Sequence, residues 1–107
     1  MTTISKETNI VTLINVFTVQ KENQQQLIDL LTQATNTSIK NVPGFISASL
    51  HRSLDGTKVT MYAQWKSVEA YEAMRKNIGP VPYLEQAMSI AKFEPGMYDV
   101  VEIFHAV

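Results

Sequence analysis

Apolar positions recur with two different periods along this chain, and the switches between them mark its elements. Residues 10–19 read IVTLINVFTV, a run rich in β-branched and aromatic side chains that predicts a strand apolar on both faces. Over residues 21–40 the period lengthens: Leu27, Leu30, Leu31 and Ala34 return at helical spacing among Gln, Asn and Thr, which predicts an amphipathic helix. Asn41 and Pro43-Gly44 end it, because the residue before a proline avoids the α region. Residues 45–53 and 58–66 then read as two strands joined at Asp55-Gly56, a pair that tight hairpins favour because Gly accepts φ > 0 at no steric cost. Ser67 offers a hydroxyl to cap the next helix, over 67–76, with Glu69 in its first turn and Ala70, Tyr71 and Met74 along its inner stripe. Gly79-Pro80 and Pro82 interrupt this helix. Residues 83–91 predict a further short helix presenting Leu84, Ala87 and Met88, Pro95-Gly96 breaks the chain again, and 97–107, MYDVVEIFHAV, predict a long last strand.

The order β-α-β-β-α-β predicts an α+β, ferredoxin-like domain: an antiparallel four-stranded sheet with helices on one face. A right-handed crossover sets strand one beside strand three, and the hairpin sets strand two on the other side of strand three. Residues 1–9 are polar and are expected to form a loose segment ahead of a single domain over 10–107.

Strand parity implies a partner. Successive side chains point to opposite faces, so strand one sends Leu13, Asn15 and Phe17 one way and Ile14 and Val16 the other. Helices cover one face only. The other leaves large apolar side chains in water, each worth about 1.5–3 kcal/mol when buried, and a second copy of the sheet is the expected cover. A homodimer packed face to face, with the last strand reaching across, is the resulting expectation.

Composition narrows the function. At 107 residues, 45% hydrophobic and 18% charged, the chain makes one folded domain with a real core. A net charge of −1 carries no footprint for nucleic acid or an anionic membrane. There is no cysteine, hence no disulfide, thiolate metal site or thiol nucleophile. No run approaches a membrane span and the first nine residues lack a signal-peptide core, so the expected location is the cytoplasm. The four glycines are isolated turn residues, so flavin and nicotinamide sites are not expected, and no His, Asp or Glu cluster has metal spacing. Between Ser67 and Phe93 there is no histidine for a haem iron.

The candidate chemistry centres on Trp65, the only tryptophan. Parity groups it with Val59, Met61 and Ala63 facing the helices, where a cleft could hold a flat aromatic molecule against the indole, its N–H serving as a donor. Asn15 is a polar residue in an apolar run, and an unsatisfied amide there would cost about 1–3 kcal/mol. Met61, Ala63 and Met74 join Asn15 as expected substrate-binding residues.

The run Pro43-Gly44-Phe45, a small-residue strand ending in His51, then Asp55-Gly56-Thr57, the Tyr-Ala-Gln-Trp of Tyr62 to Trp65, and the Ser-x-Glu-Ala-Tyr helix start from Ser67 to Tyr71 resemble the antibiotic biosynthesis monooxygenase family. The likeness is to the branch that oxidises anthrones to quinones. It implies a dimeric α+β barrel and a cofactor-independent monooxygenase using O2 on a small aromatic substrate, with His51, Trp65 and Tyr71 lining the cavity as catalytic residues. Such chemistry removes an acidic C–H proton and leaves an electron-rich enolate that reduces oxygen itself. Two features depart from that branch: Met61 stands where it has an asparagine, and the segment after the second helix, NIGPVPYLEQA, carries no arginine. These departures support a different class of function, a non-catalytic dimeric domain that binds an apolar metabolite or has a structural role.

Overall fold

In the computed structural model, which describes residues 2–6, 9–77 and 82–107, strands and helices follow in the order β1 (Val11–Val19), α1 (Gln24–Thr37), β2 (Phe45–Arg52), β3 (Lys58–Trp65), α2 (Val68–Asn77), α3 (Pro82–Ile90) and β4 (Ala91–Tyr98). Short 3-10 turns lead into and out of α1, at Lys21–Asn23 and Ile39–Asn41. The Gly79-Pro80 break lies outside the described residues.

The strands form one antiparallel sheet in the order β2-β3-β1-β4. This is the ferredoxin-like arrangement that the element order implies, with β1 and β3 at the centre. All three helices sit on one face. Leu27, Leu30, Leu31 and Ala34 of α1 are buried, and the three leucines make one core cluster with Phe17, Val19, Val59 and Ala87. Leu13, Ala63, Trp65 and Tyr71 make a second beside it. Among the described residues no helix is long and apolar enough to cross a membrane.

Local chemistry fixes the joints. Asp55 accepts hydrogen bonds from the Thr57 hydroxyl (2.7 Å), the Thr57 backbone N–H (3.0 Å) and the Ser53 hydroxyl (2.9 Å), which closes the β2–β3 turn. Those donors, the Thr57 hydroxyl foremost, hold its carboxyl at about 2, below the usual carboxylate range. Gly44 has φ +89°, and a Cβ there would collide with the Cβ of Ala70. Only glycine therefore lets the start of β2 lie against the first turn of α2. Lys66 N–H donates to the Gly44 carbonyl at 2.8 Å, and the Ser67 hydroxyl accepts from the Ala70 N–H at 3.0 Å, so α2 begins as its sequence signals.

Two expectations are corrected at the C-terminal end. The last strand is Ala91–Tyr98, starting six residues before the expected residue 97, and Pro95-Gly96 lies inside it rather than before it. Because β4 is an edge strand paired only with β1, a proline there forfeits no ladder bond on its open side. Residues 99–107 are not a strand. Val101 and Phe104 are 81% and 86% exposed, and Lys6–Glu102, at 3.3 Å, joins this segment to the N-terminal one. Residues 2–6 have no regular structure but are tied to the sheet's outer face. The Thr2 hydroxyl donates to Ser47 Oγ, Ser47 Oγ to Gln64 Oε1, and Gln64 Nε2 to the Thr3 carbonyl at 2.7 Å.

Candidate active site

Between the sheet's inner face and the helices lies a cavity of about 570 Å³. Its floor is the inward row of the two central strands, Leu13, Asn15 and Phe17 from β1 and Met61, Ala63 and Trp65 from β3. Each lies there because strand side chains alternate, and Ala63 directly opposite Leu13 keeps the floor low. Phe45 and Ala48 of β2 and Phe93 of β4 extend the floor to both sides. The roof comes from Tyr71, Met74 and Arg75 of α2, Leu31 and Thr35 of α1, and α3. The volume falls in the range of small-molecule sites, and its lining is predominantly apolar and aromatic.

Trp65 is 1% exposed and is wedged between two other rings, Phe45 at 5.4 Å and Tyr71 at 5.6 Å, both near edge-to-face. Its indole N–H has no hydrogen-bond partner, nor has the side-chain oxygen of Asn15. A buried donor or acceptor left unpaired costs about 1–3 kcal/mol. Here one donor and one acceptor are unpaired in the wall of the same cavity. Such a constellation is satisfied by a ligand that brings an acceptor for the indole and a donor for the amide oxygen. Burial raises the Tyr71 phenol above its ordinary value, and Arg75 opposes this more weakly. Tyr71 therefore remains an O–H donor through the neutral and mildly alkaline range.

Of the residues singled out from the sequence, Asn15, Met61, Ala63, Trp65, Tyr71 and Met74 are brought together around this cavity. His51 is not. A bulge at Ile46, between the Phe45–Trp65 and Ser47–Gln64 pairs, shifts the alternation of β2 by one, so Ala48 and Leu50 share the inner face with Phe45. His51 pairs with Thr60 on the outer face, exposed, with its Nε2 at 3.0 Å from Ser49 Oγ. Its placement in the cavity is thus corrected. Arg75 was missed. It lies four residues after Tyr71, hence on the same side of α2, and its guanidinium carbon is 5.9 Å from the Tyr71 ring centroid. That i, i+4 spacing was the available signal. Phe93 was read as chain beyond the third helix, whereas in β4 it stacks at 5.0 Å on Phe17. Among the described residues no three His, Cys, Asp or Glu side chains come together as a metal site.

A ferredoxin-like sheet roofed by helices over an aromatic-lined cavity defines a class of small α+β domains. The chain belongs to the antibiotic biosynthesis monooxygenase family, whose model matches residues 10–88. It is 39% identical over 106 residues to tetracenomycin-F1 monooxygenase of Streptomyces glaucescens, covering 99% of this chain and 95% of that one. Among solved structures it resembles a monooxygenase of Streptomyces coelicolor in complex with nanaomycin D, at 30% identity and TM-score 0.71, covering 91% and 92% of the two chains. It also shares the fold of a mutant of SnoaB, a cofactor-independent oxygenase from Streptomyces nogalater, at 20% identity and TM-score 0.78, covering 89% and 96%.

Proposed function

We propose that this protein is a cofactor-independent monooxygenase that oxidises a fused-ring aromatic substrate of the anthrone or quinol type with O2. The observation that carries this reading is the pair of unpartnered buried groups, the Trp65 indole N–H and the Asn15 amide oxygen, in one aromatic-lined cavity. A hydroxylated anthrone supplies what each lacks, a carbonyl acceptor and a hydroxyl donor. Family membership and the 39% identical monooxygenase support the same reaction class.

The chemistry balances without a bound electron carrier. Loss of a proton from the ring methylene leaves an enolate whose oxygen is stabilised by the indole N–H and the Tyr71 O–H. The enolate carbon gives an electron to O2, and the resulting radical pair combines into a carbon–oxygen bond. Protonation gives a hydroperoxide. Loss of the second C–H proton with cleavage of the O–O bond then leaves a new carbonyl and releases one water. The predominantly apolar lining strengthens these electrostatic contacts.

In an oxygen electrode, the purified protein is expected to consume O2 with at least one member of a panel of anthrones and naphthoquinols, one O2 per substrate. No uptake above the uncatalysed rate across the panel, together with tight binding of the same molecules, would favour the alternative of a domain that binds an aromatic metabolite without turning it over.

The working unit is proposed to be a homodimer. On the outer face of the sheet Ile14, Val16 and Tyr62 are partly exposed and Ile46 is 39% exposed, with no helix to cover them. Sedimentation at micromolar concentration is expected to give twice the 12.0 kDa chain mass. A lone 12.0 kDa species would sink the dimer.

A further inference from the structure

Three of the five methionines, Met61, Met74 and Met88, lie in the wall of the cavity, and the chain has no cysteine. Thioethers are therefore the sulfur that meets any oxidant formed there, and each can take up one oxygen atom to become a sulfoxide. Met61 is set apart by its position. It is partly buried at the middle of the floor and packs against both core clusters, whereas Met74 packs against one and Met88 is 47% exposed. In the sheet Met61 is paired with Asn15 on one side and Leu50 on the other. Side chains directly opposed on antiparallel strands stand about 4.5–5.5 Å apart at Cβ, so the thioether and the Asn15 amide are neighbours. A thioether is a weak acceptor, whereas a sulfoxide oxygen is a good one, and the amide NH2 group is the donor at hand.

We propose that Met61 is an oxidative modification site, whose sulfur takes the outer oxygen of an organic hydroperoxide held in the cavity and becomes methionine sulfoxide. The proposal rests on the reading of the cavity as the place where a ring hydroperoxide forms. With the ring carbonyl at the Trp65 indole, the carbon that bears the hydroperoxide lies across the central ring. The inward row runs from Trp65 through Ala63 to Met61 in that direction, each step advancing about 7 Å. A sulfur lone pair attacks the outer peroxide oxygen. The S–O bond forms as the O–O bond breaks, and the hydroperoxide proton passes to the inner oxygen, which leaves as an alcohol. Sulfur loses two electrons and the peroxide gains them, so no further oxidant or reductant enters. The step removes a hydroperoxide that has failed to lose water, and it leaves a polar group on an apolar floor until a sulfoxide reductase restores the thioether.

The probe is cumene hydroperoxide, an aromatic hydroperoxide that needs no turnover, set against hydrogen peroxide, which reaches exposed thioethers from bulk water. Peptide mapping by mass spectrometry reads the sulfoxide at each methionine after brief treatment of the intact protein. Met97, 38% exposed and outside the cavity wall, is the internal reference. The ratio of Met61 to Met97 oxidation is expected to be at least about fivefold higher with cumene hydroperoxide, because binding in the cavity raises the oxidant's local concentration. Met61→Leu, which keeps the side chain apolar and of similar size, should abolish the fast phase of cumyl alcohol release, while Met97→Leu retains it. Equal ratios with the two oxidants, or a fast phase that survives Met61→Leu, would overturn the assignment. A protein that turns over an anthrone yet shows equal ratios loses this site and keeps its reaction. One that takes up no O2 yet shows the Met61 preference loses the reaction and keeps the site.

Discussion

Trp65→Phe is expected to lower kcat about a hundredfold on whichever anthrone or quinol supports O2 uptake, because it deletes a donor aimed at the oxygen where charge develops. The substitution keeps an aromatic ring between Phe45 and Tyr71, so the fold should survive, which a thermal melt checks. His51→Ala is the matching control. That side chain is exposed on the other face of the sheet, bonded to Ser49, and its removal should change kcat by less than about twofold. A histidine acting as the base would give the reverse order. Full activity in Trp65→Phe would show that the indole N–H has no part in the reaction.

Leu27→Ala should destabilise the protein by about 2–5 kcal/mol, a large share of the roughly 5–15 kcal/mol by which such domains are stable. Leu27 is fully buried where α1 meets the sheet, in one cluster with Leu31, Val59 and Ala87, so its removal leaves a void in that core. Leu54, at the tip of the β2–β3 hairpin, is fully exposed, and Leu54→Ala should stay within about 0.5 kcal/mol. Urea unfolding followed by circular dichroism measures both. The contrast matters for function because α1 supplies Leu31 and Thr35 to the cavity wall, and a loosened helix reshapes the cavity.

Elements with a strong period were legible in the sequence. The alternation in β1 and β3 placed Asn15, Met61, Ala63 and Trp65 on the helix-facing side, and the helical spacing of α2 placed Tyr71 and Met74 above them. The hairpin followed from Asp55-Gly56, whose glycine has φ +82°. What failed did so for identifiable reasons. The resemblance implied a cavity position for His51, and a bulge leaves no mark in a pattern of small residues such as FISASL, so the sequence did not show that His51 lies on the outer face. Pro95-Gly96 read as a break because sequence alone does not show that its strand is an edge with one free side. Residues 99–107 have strand-like composition but find no neighbouring strand in the monomer, and composition does not create a pairing partner. The resemblance points to an arginine after the second helix, whereas in this chain one i, i+4 step from Tyr71 brings Arg75, on that helix, to the cavity wall.

The account turns on whether the unpaired groups in the cavity wall are waiting for a fused-ring ligand. The chain has one indole N–H, so a 15N-labelled sample gives a single indole resonance that can be followed while an anthraquinone is added. Formation of a hydrogen bond from Trp65 to the quinone carbonyl predicts a saturable downfield shift of that resonance, strengthened for a hydroxylated quinone and weakened by Asn15→Ala. A resonance that stays in place while other signals report binding would contradict it, since the ligand would then sit elsewhere and leave the indole donor unpaired.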